Sequence, residues 1–160
     1  MLRKIILLRH AKSSWKDPSL RDFDRPLSKR GVKDTKLMKE HIASLVMGVD
    51  EIYSSPSVRT SQTITQLVPE FSHVNYLASL YLGDVSVVLS LLESIQMRIK
   101  TVMIVGHNPC IHEMMEIIWR KPLEKFPTCA VAVFSLNNAW AKTGIPIGNL
   151  EKFIKPRDLK

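Results

Sequence analysis

Two short apolar runs constrain this chain more than any other feature: Ile5-Ile6-Leu7-Leu8 and Thr101-Val102-Met103-Ile104-Val105. Each is continuous rather than alternating, the pattern of a strand buried on both faces in a parallel sheet. Each run delivers a histidine at its end, Arg9-His10 after the first and Gly106-His107 after the second. Open α/β sheets carry ligand chemistry at the carboxyl ends of their strands. One such histidine would be read as surface or core; two on the same rim point to a site. Around these runs the chain alternates. It predicts a strand over 3–9, a long loop, a helix from Ser28 to about Val46, a strand over 51–53 and a helix over 56–67. Next come a strand over 73–77 and a helix over 85–95, then a strand over 101–106 and a helix over 109–119. Ala130–Leu136 and Leu150–Ile154 read as two final strands joined by a Gly/Pro-containing turn region. The expected fold is a single three-layer α/β domain over residues 1–160. Its central sheet is mostly parallel, with helices on both faces and an antiparallel edge strand.

The rim is also basic. After Glu51-Ile52-Tyr53, Ser55 suits a helix N-cap and Pro56 a first helical position, which puts Arg59 in the first turn. Asn108-Pro109 repeats that start after His107. A helix start flanked by arginine and histidine suits an anion, and a phosphate above all. The stretch from Lys12 to Leu27 holds Trp15, Pro18, Phe23 and Pro26 without periodicity. Loops of that length in compact domains usually serve function, so it belongs at the mouth of the site.

Four blocks now stand in order: Arg9-His10-Ala11-Lys12-Ser13-Ser14-Trp15, Asp24-Arg25-Pro26-Leu27-Ser28 with Gly31, Ser55 to Thr63, and Gly106-His107-Asn108-Pro109. Together they resemble the histidine phosphatase superfamily, and within it the small SixA-type phosphohistidine phosphatase branch. The resemblance implies a phosphoglycerate mutase-like fold, His10 as nucleophile, and Arg9, Arg59 and His107 around the phosphoryl group. Lys12, Ser13, Arg25 and Asn108 are the candidate substrate-binding residues, and no metal or cofactor is expected. The chemistry agrees. A histidine nucleophile must be neutral, and an ordinary pKa near 6.5 leaves it mostly so. Two guanidiniums suit a transition state whose charge spreads over three oxygens. A protonated His107 would add a further donor.

Two departures matter. Ala11 stands where most branches of the superfamily have glycine, and Lys16 where the mutase branch has asparagine. A general acid is also hard to place. The resemblance would put it near Asp84, yet Asp84 precedes the helical pattern of Val85, Val88, Leu89 and Leu92 and reads as an N-cap. A missing acid fits phosphohistidine, whose protonated imidazole leaves as a neutral ring. The short path from Arg59 to Asp84 leaves little room for an inserted roof, so an open site fits a phosphorylated protein. The expectation is therefore a metal-independent phosphatase acting on protein phosphohistidine. The alternatives are a small-molecule phosphomonoesterase with Asp84 as acid, and a non-catalytic phospho-ligand module.

The net charge of +8 raises nucleic acid as a partner, but the basic residues are scattered and no nucleic-acid motif gathers them. The basic helix face at Lys29, Lys33 and Lys36 reads as solvated surface. Cys110 and Cys129 suit no disulfide framework, and no run reaches membrane-spanning length. A cytoplasmic monomer with no membrane partner is expected. Met38, Met47, Met114 and Met115 read as core filler.

Overall fold

The computed structural model describes residues 2–137, 140 and 144–160. Its strands are β1 (Arg3–Arg9), β2 (Glu51–Ser54), β3 (Val74–Tyr76), β4 (Thr101–Gly106), β5 (Val131–Leu136) and β6 (Gly148–Ile154). The helices are α1 (Lys29–Val46), α2 (Val58–Leu67), α3 (Val85–Ser94) and α4 (Cys110–Trp119). The six strands form one sheet in the order β3-β2-β4-β1-β5-β6. β1, β2, β3 and β4 run parallel, β5 is antiparallel to β1, and β6 is antiparallel to β5. This is the expected mixed sheet with an antiparallel edge. The turn region expected between the last two strands includes positions 138–139 and 141–143, which lie outside the described residues.

The apolar runs occupy the centre of the sheet for a physical reason. Ile5 and Leu7 of β1, with Val102 and Ile104 of β4, point into a core roofed by α3 and α4. Ile6 and Leu8, with Met103 and Val105, point the other way into a core under α1 and α2. Every second residue serves the opposite layer, so neither strand can spare a polar position. Burying one such side chain contributes about 1.5–3 kcal/mol.

Three local expectations need correction. α2 begins at Val58 with Ser57 as its cap, accepting from the Thr60 N–H, instead of with Ser55 and Pro56. The Ser55 hydroxyl is spent on His107 and on the Ser57 N–H. α4 begins at Cys110 after Pro109, with no side-chain cap, and the Asn108 amide nitrogen donates instead to the Phe126 carbonyl at 3.0 Å. Met38, Met114 and Met115 are buried as expected, but Met47 lies past the end of α1 and is 89% exposed. Asp84 does cap α3, accepting from the Ser86 N–H at 2.9 Å.

Candidate active site

The carboxyl ends of β1 and β4 are adjacent, with Arg9 opposite Gly106 in register, so the residues that follow each strand converge. The rings of His10 and His107 stand 5.1 Å apart, and both are buried. Arg59 reaches the same point from the first turn of α2, its guanidinium 3.3 Å from His107 Nδ1. Arg9 is turned by its own donor, Nη1 bonding the Phe126 carbonyl at 3.0 Å. A cleft of about 220 Å³ opens over these groups, lined by Arg9, His10, Lys12, Ser13, Trp15, Asp22, Arg25, Arg59 and Thr128. The long loop thus forms one wall of the mouth.

The histidine tautomers follow from the hydrogen bonds. His10 Nδ1 lies 2.7 Å from the Ala11 carbonyl, which only accepts, so this nitrogen carries the proton and Nε2 keeps its lone pair. Burial, opposed by that bond and aided by His107, Arg59 and Arg9, pushes the His10 pKa down to about 3. His107 is the reverse tautomer. Arg59 donates to Nδ1, and Nε2–H donates to the Ser55 hydroxyl at 2.8 Å. Burial, then the charge of Arg59, pushes His107 down to about 4. His107 is therefore neutral at rest, since burial and two guanidiniums beside it disfavour the charged ring.

The loop after His10 is fixed from three sides. The Ala11 N–H donates to Thr63 Oγ1 at 3.0 Å, and Thr63 in turn donates to the Arg59 carbonyl at 2.7 Å. The Ser28 N–H and hydroxyl both donate to the Lys12 carbonyl. That carbonyl lies so close to Gly31 that a Cβ there would stand 2.2 Å from it. Only glycine admits this contact. On the far side the Cys129 N–H donates to the carbonyls of Arg9 and His10. Cys129 is buried with φ at 61°, and burial pushes its thiol up to about 12. Neither this thiol nor Cys110, itself near 11, lines the cleft.

The candidate substrate-binding residues separate. Arg25 and Ser13 are at the cleft and bound to each other at 2.8 Å. Arg25 also donates to the Ser14 carbonyl and to Asp22, and its guanidinium carbon lies 3.1 Å from the Trp15 ring centroid. Lys12 is exposed on the rim. Asn108 does not line the cleft; it shares the Phe126 carbonyl with Arg9 and so supports the wall from behind.

Sequence reasoning missed Asp22. Its carboxylate accepts from Tyr81 Oη at 2.6 Å, Arg59 at 3.0 Å and Arg25 at 3.1 Å, while its carbonyl accepts from Arg59 at 2.7 Å. The Tyr81 hydrogen bond, with Arg59 and Arg25 adding to it, holds this carboxyl below its ordinary range. Tyr81 packs edge-on against both His107 and Phe23, closing the loop over Arg59. Ser55 was read as a cap and Thr63 only as part of its block, without their partners His107 and Ala11, and Tyr81 and the Phe126 carbonyl were unread. Asp22, three residues before Arg25 in a loop assigned to the mouth, carried the only available signal. Among the described residues no group of three or more histidine, cysteine or acidic side chains is placed to hold a metal ion, and no helix is long and apolar enough to cross a membrane.

Residues 5–79 match the sequence model of the histidine phosphatase superfamily (branch 1). An uncharacterised chloroplastic protein of Arabidopsis thaliana is 33% identical over 151 residues, spanning 86% of this chain and 69% of that protein. The fold is similar to that of an Agrobacterium tumefaciens protein assigned as the phosphohistidine phosphatase SixA. The TM-score is 0.82 at 29% identity, over 98% of this chain and 99% of that one. A Nakamurella multipartitia protein with the same assignment has a TM-score of 0.83 at 26% identity, covering 98% and 97%.

Proposed function

Since this chain belongs to the histidine phosphatase superfamily, and is a phosphatase of that superfamily, we propose that its substrate is a phosphohistidine on a protein and its nucleophile His10. The carrying observation is the state of His10. With Nδ1–H committed to the Ala11 carbonyl and the pKa far below neutrality, Nε2 offers a lone pair at any physiological pH. In the first step Nε2 attacks phosphorus and the substrate P–N bond breaks. Its electron pair returns to the substrate ring, which departs neutral with the proton it held on its other nitrogen. In the second step water attacks the phosphoryl group on His10, and the pair of that P–N bond returns to Nε2.

Arg9 and Arg59 supply the planar donors for the equatorial oxygens, and they act from fixed positions in a partly dry cleft. His107, neutral at rest, gains a proton-holding role once phosphate charge arrives beside it. Lys12 attracts the substrate from the rim, and Ser13 and Arg25 shape the wall. The substrate class is favoured by the carboxylates. Asp84 is turned to cap α3, and Asp22 is bound in its ionised form, so neither is poised to protonate a departing alkoxide. A phosphohistidine needs no such acid.

The test compares a phosphohistidine peptide, phosphoramidate, p-nitrophenyl phosphate and sugar phosphates as substrates of the wild type and His10→Ala. The wild type should favour the P–N substrates. His10→Ala should keep its fold by circular dichroism, lose turnover, and no longer trap phosphate in an acid-free quench. Substantial activity in the folded variant would remove His10 as nucleophile. A preference for sugar phosphates would move the reading to a phosphomonoesterase.

A further inference from the structure

The floor and the rim of the cleft differ in charge. The floor is cationic and largely buried, with half-buried Arg9 and buried Arg59 beside His10. The rim is exposed and carries Lys12, Trp15 and one carboxylate, Asp22. In-line transfer to His10 Nε2 sends the leaving group away from the floor, towards this rim. Resting on the reading above, we propose that Asp22 is a specificity-determining residue. It is a fixed counter-ion that selects substrates whose leaving ring or amine is cationic until the P–N bond breaks, the N-phosphoimidazolium of phosphohistidine above all, over phosphate esters.

Three observations carry this. First, Asp22 is held in place by three donors from three parts of the chain: Tyr81, Arg59 and Arg25. Second, an ionised carboxylate has about four acceptor sites. Three are taken, and the side chain is still 52% exposed, which leaves acceptor capacity for the N–H of a substrate ring. Third, these donors stabilise the ionised form, so Asp22 presents a charge instead of a proton. The charge acts with opposite sign on the two substrate classes. An N-phosphoimidazolium gains an ion-pair partner and stays protonated until its P–N bond breaks. An ester develops negative charge on its departing oxygen and meets repulsion. Asp22 also engages both terminal nitrogens of Arg59, its carbonyl on Nη1 and its carboxylate on Nη2, so a phosphoryl group shares Arg59 with it. Trp15, stacked on Arg25 and 72% exposed, offers the same leaving ring an aromatic face.

An opposite charge within about 4–6 Å shifts an ionisation by one to three units, and the exposure of Asp22 keeps the effect near the lower end, about tenfold. The test measures kcat/KM of wild type, Asp22→Asn and Asp22→Glu on phosphohistidine peptide and phosphoramidate, and on p-nitrophenyl and acetyl phosphates. In Asp22→Asn the ratio of P–N to ester kcat/KM should fall by about tenfold. The ester values themselves should rise, because the anionic partner of Arg59 and the repelling charge at the rim are lost together, while the bond from Arg59 to the backbone carbonyl stays; that rise also reports an intact fold. Asp22→Glu should retain most of the preference. If esters stay level or fall in Asp22→Asn, or both classes move together, the assignment is overturned. A wild type that hydrolyses esters alone would remove the phosphohistidine reading. In that case a rise of the esters in Asp22→Asn would still support Asp22 as a barrier against them.

Discussion

Lowering the pH from 7 to 5 should cost this protein about 4 kcal/mol of stability, nearly all of it from two side chains. His10 and His107 are buried in neutral form, at about 3 and about 4, whereas both titrate near 6.5 in the unfolded chain. The unfolded state therefore binds more protons as pH falls below 6.5. The stabilisation is complete above that value and is lost progressively down to the folded pKa values. At pH 5 the unfolded chain gains about 1.5 units' worth of protonation at each histidine, about 2 kcal/mol apiece. Carboxylates titrate near 4 when unfolded and contribute little in this window. The sum is a large share of a typical net stability of 5–15 kcal/mol. Urea unfolding followed by circular dichroism at pH 7, 6 and 5 measures it directly. His10→Asn and His107→Gln should each reduce the loss by about 2 kcal/mol, and the double variant by nearly all of it. A double variant with the same pH dependence as wild type would refute the buried neutral pair.

Arg59→Lys should lower kcat by on the order of 10²-fold or more, measured with p-nitrophenyl phosphate. Lysine keeps the charge but has no planar fork to span Asp22, His107 and a phosphoryl oxygen. Asp84→Asn should leave phosphohistidine turnover and the thermal midpoint essentially unchanged, because asparagine caps a helix about as well as aspartate. A collapse of ester hydrolysis in that variant would instead make Asp84 an acid.

The parts of this molecule legible in sequence are those where one local pattern settles the outcome. Ile5–Leu8 and Val102–Val105 read as doubly buried strands, which placed His10 and His107 on one rim; that β1 and β4 are neighbours, and the rings 5.1 Å apart, came from the structure. Arg59 was readable because a helix start fixes what its first turn faces, even though the cap proved to be Ser57. The unread parts depend on contacts between distant residues. Asp22 meets Tyr81 across 59 positions, and nothing local to either marks the pairing. The acceptor that turns both Arg9 and Asn108 is a backbone carbonyl, Phe126, which any residue type would have supplied. Ser55 looked like a cap because its hydroxyl was free to accept; the partner it found was His107, 52 residues away. Met47 failed for the opposite reason, since an apolar side chain just beyond a helix end has no neighbour to bury it.

The position of β1 between β4 and β5 has a consequence for the order in which this protein is made. The strand that carries His10 to the site precedes its two hydrogen-bonded neighbours, Thr101–Gly106 and Val131–Leu136, by many residues in the chain. The donors and acceptors of β1 stay unmatched until residues 101–106 and 131–136 have left the ribosome, and the loop that turns Arg9 arrives with the second neighbour. Such long-range pairing is slow to form and leaves strand edges open meanwhile. A nascent chain ending after α2 carries His10, Arg25 and Arg59 but no β4 or β5 to align them. Alignment of these residues is thus reserved for a chain that has extended through β5.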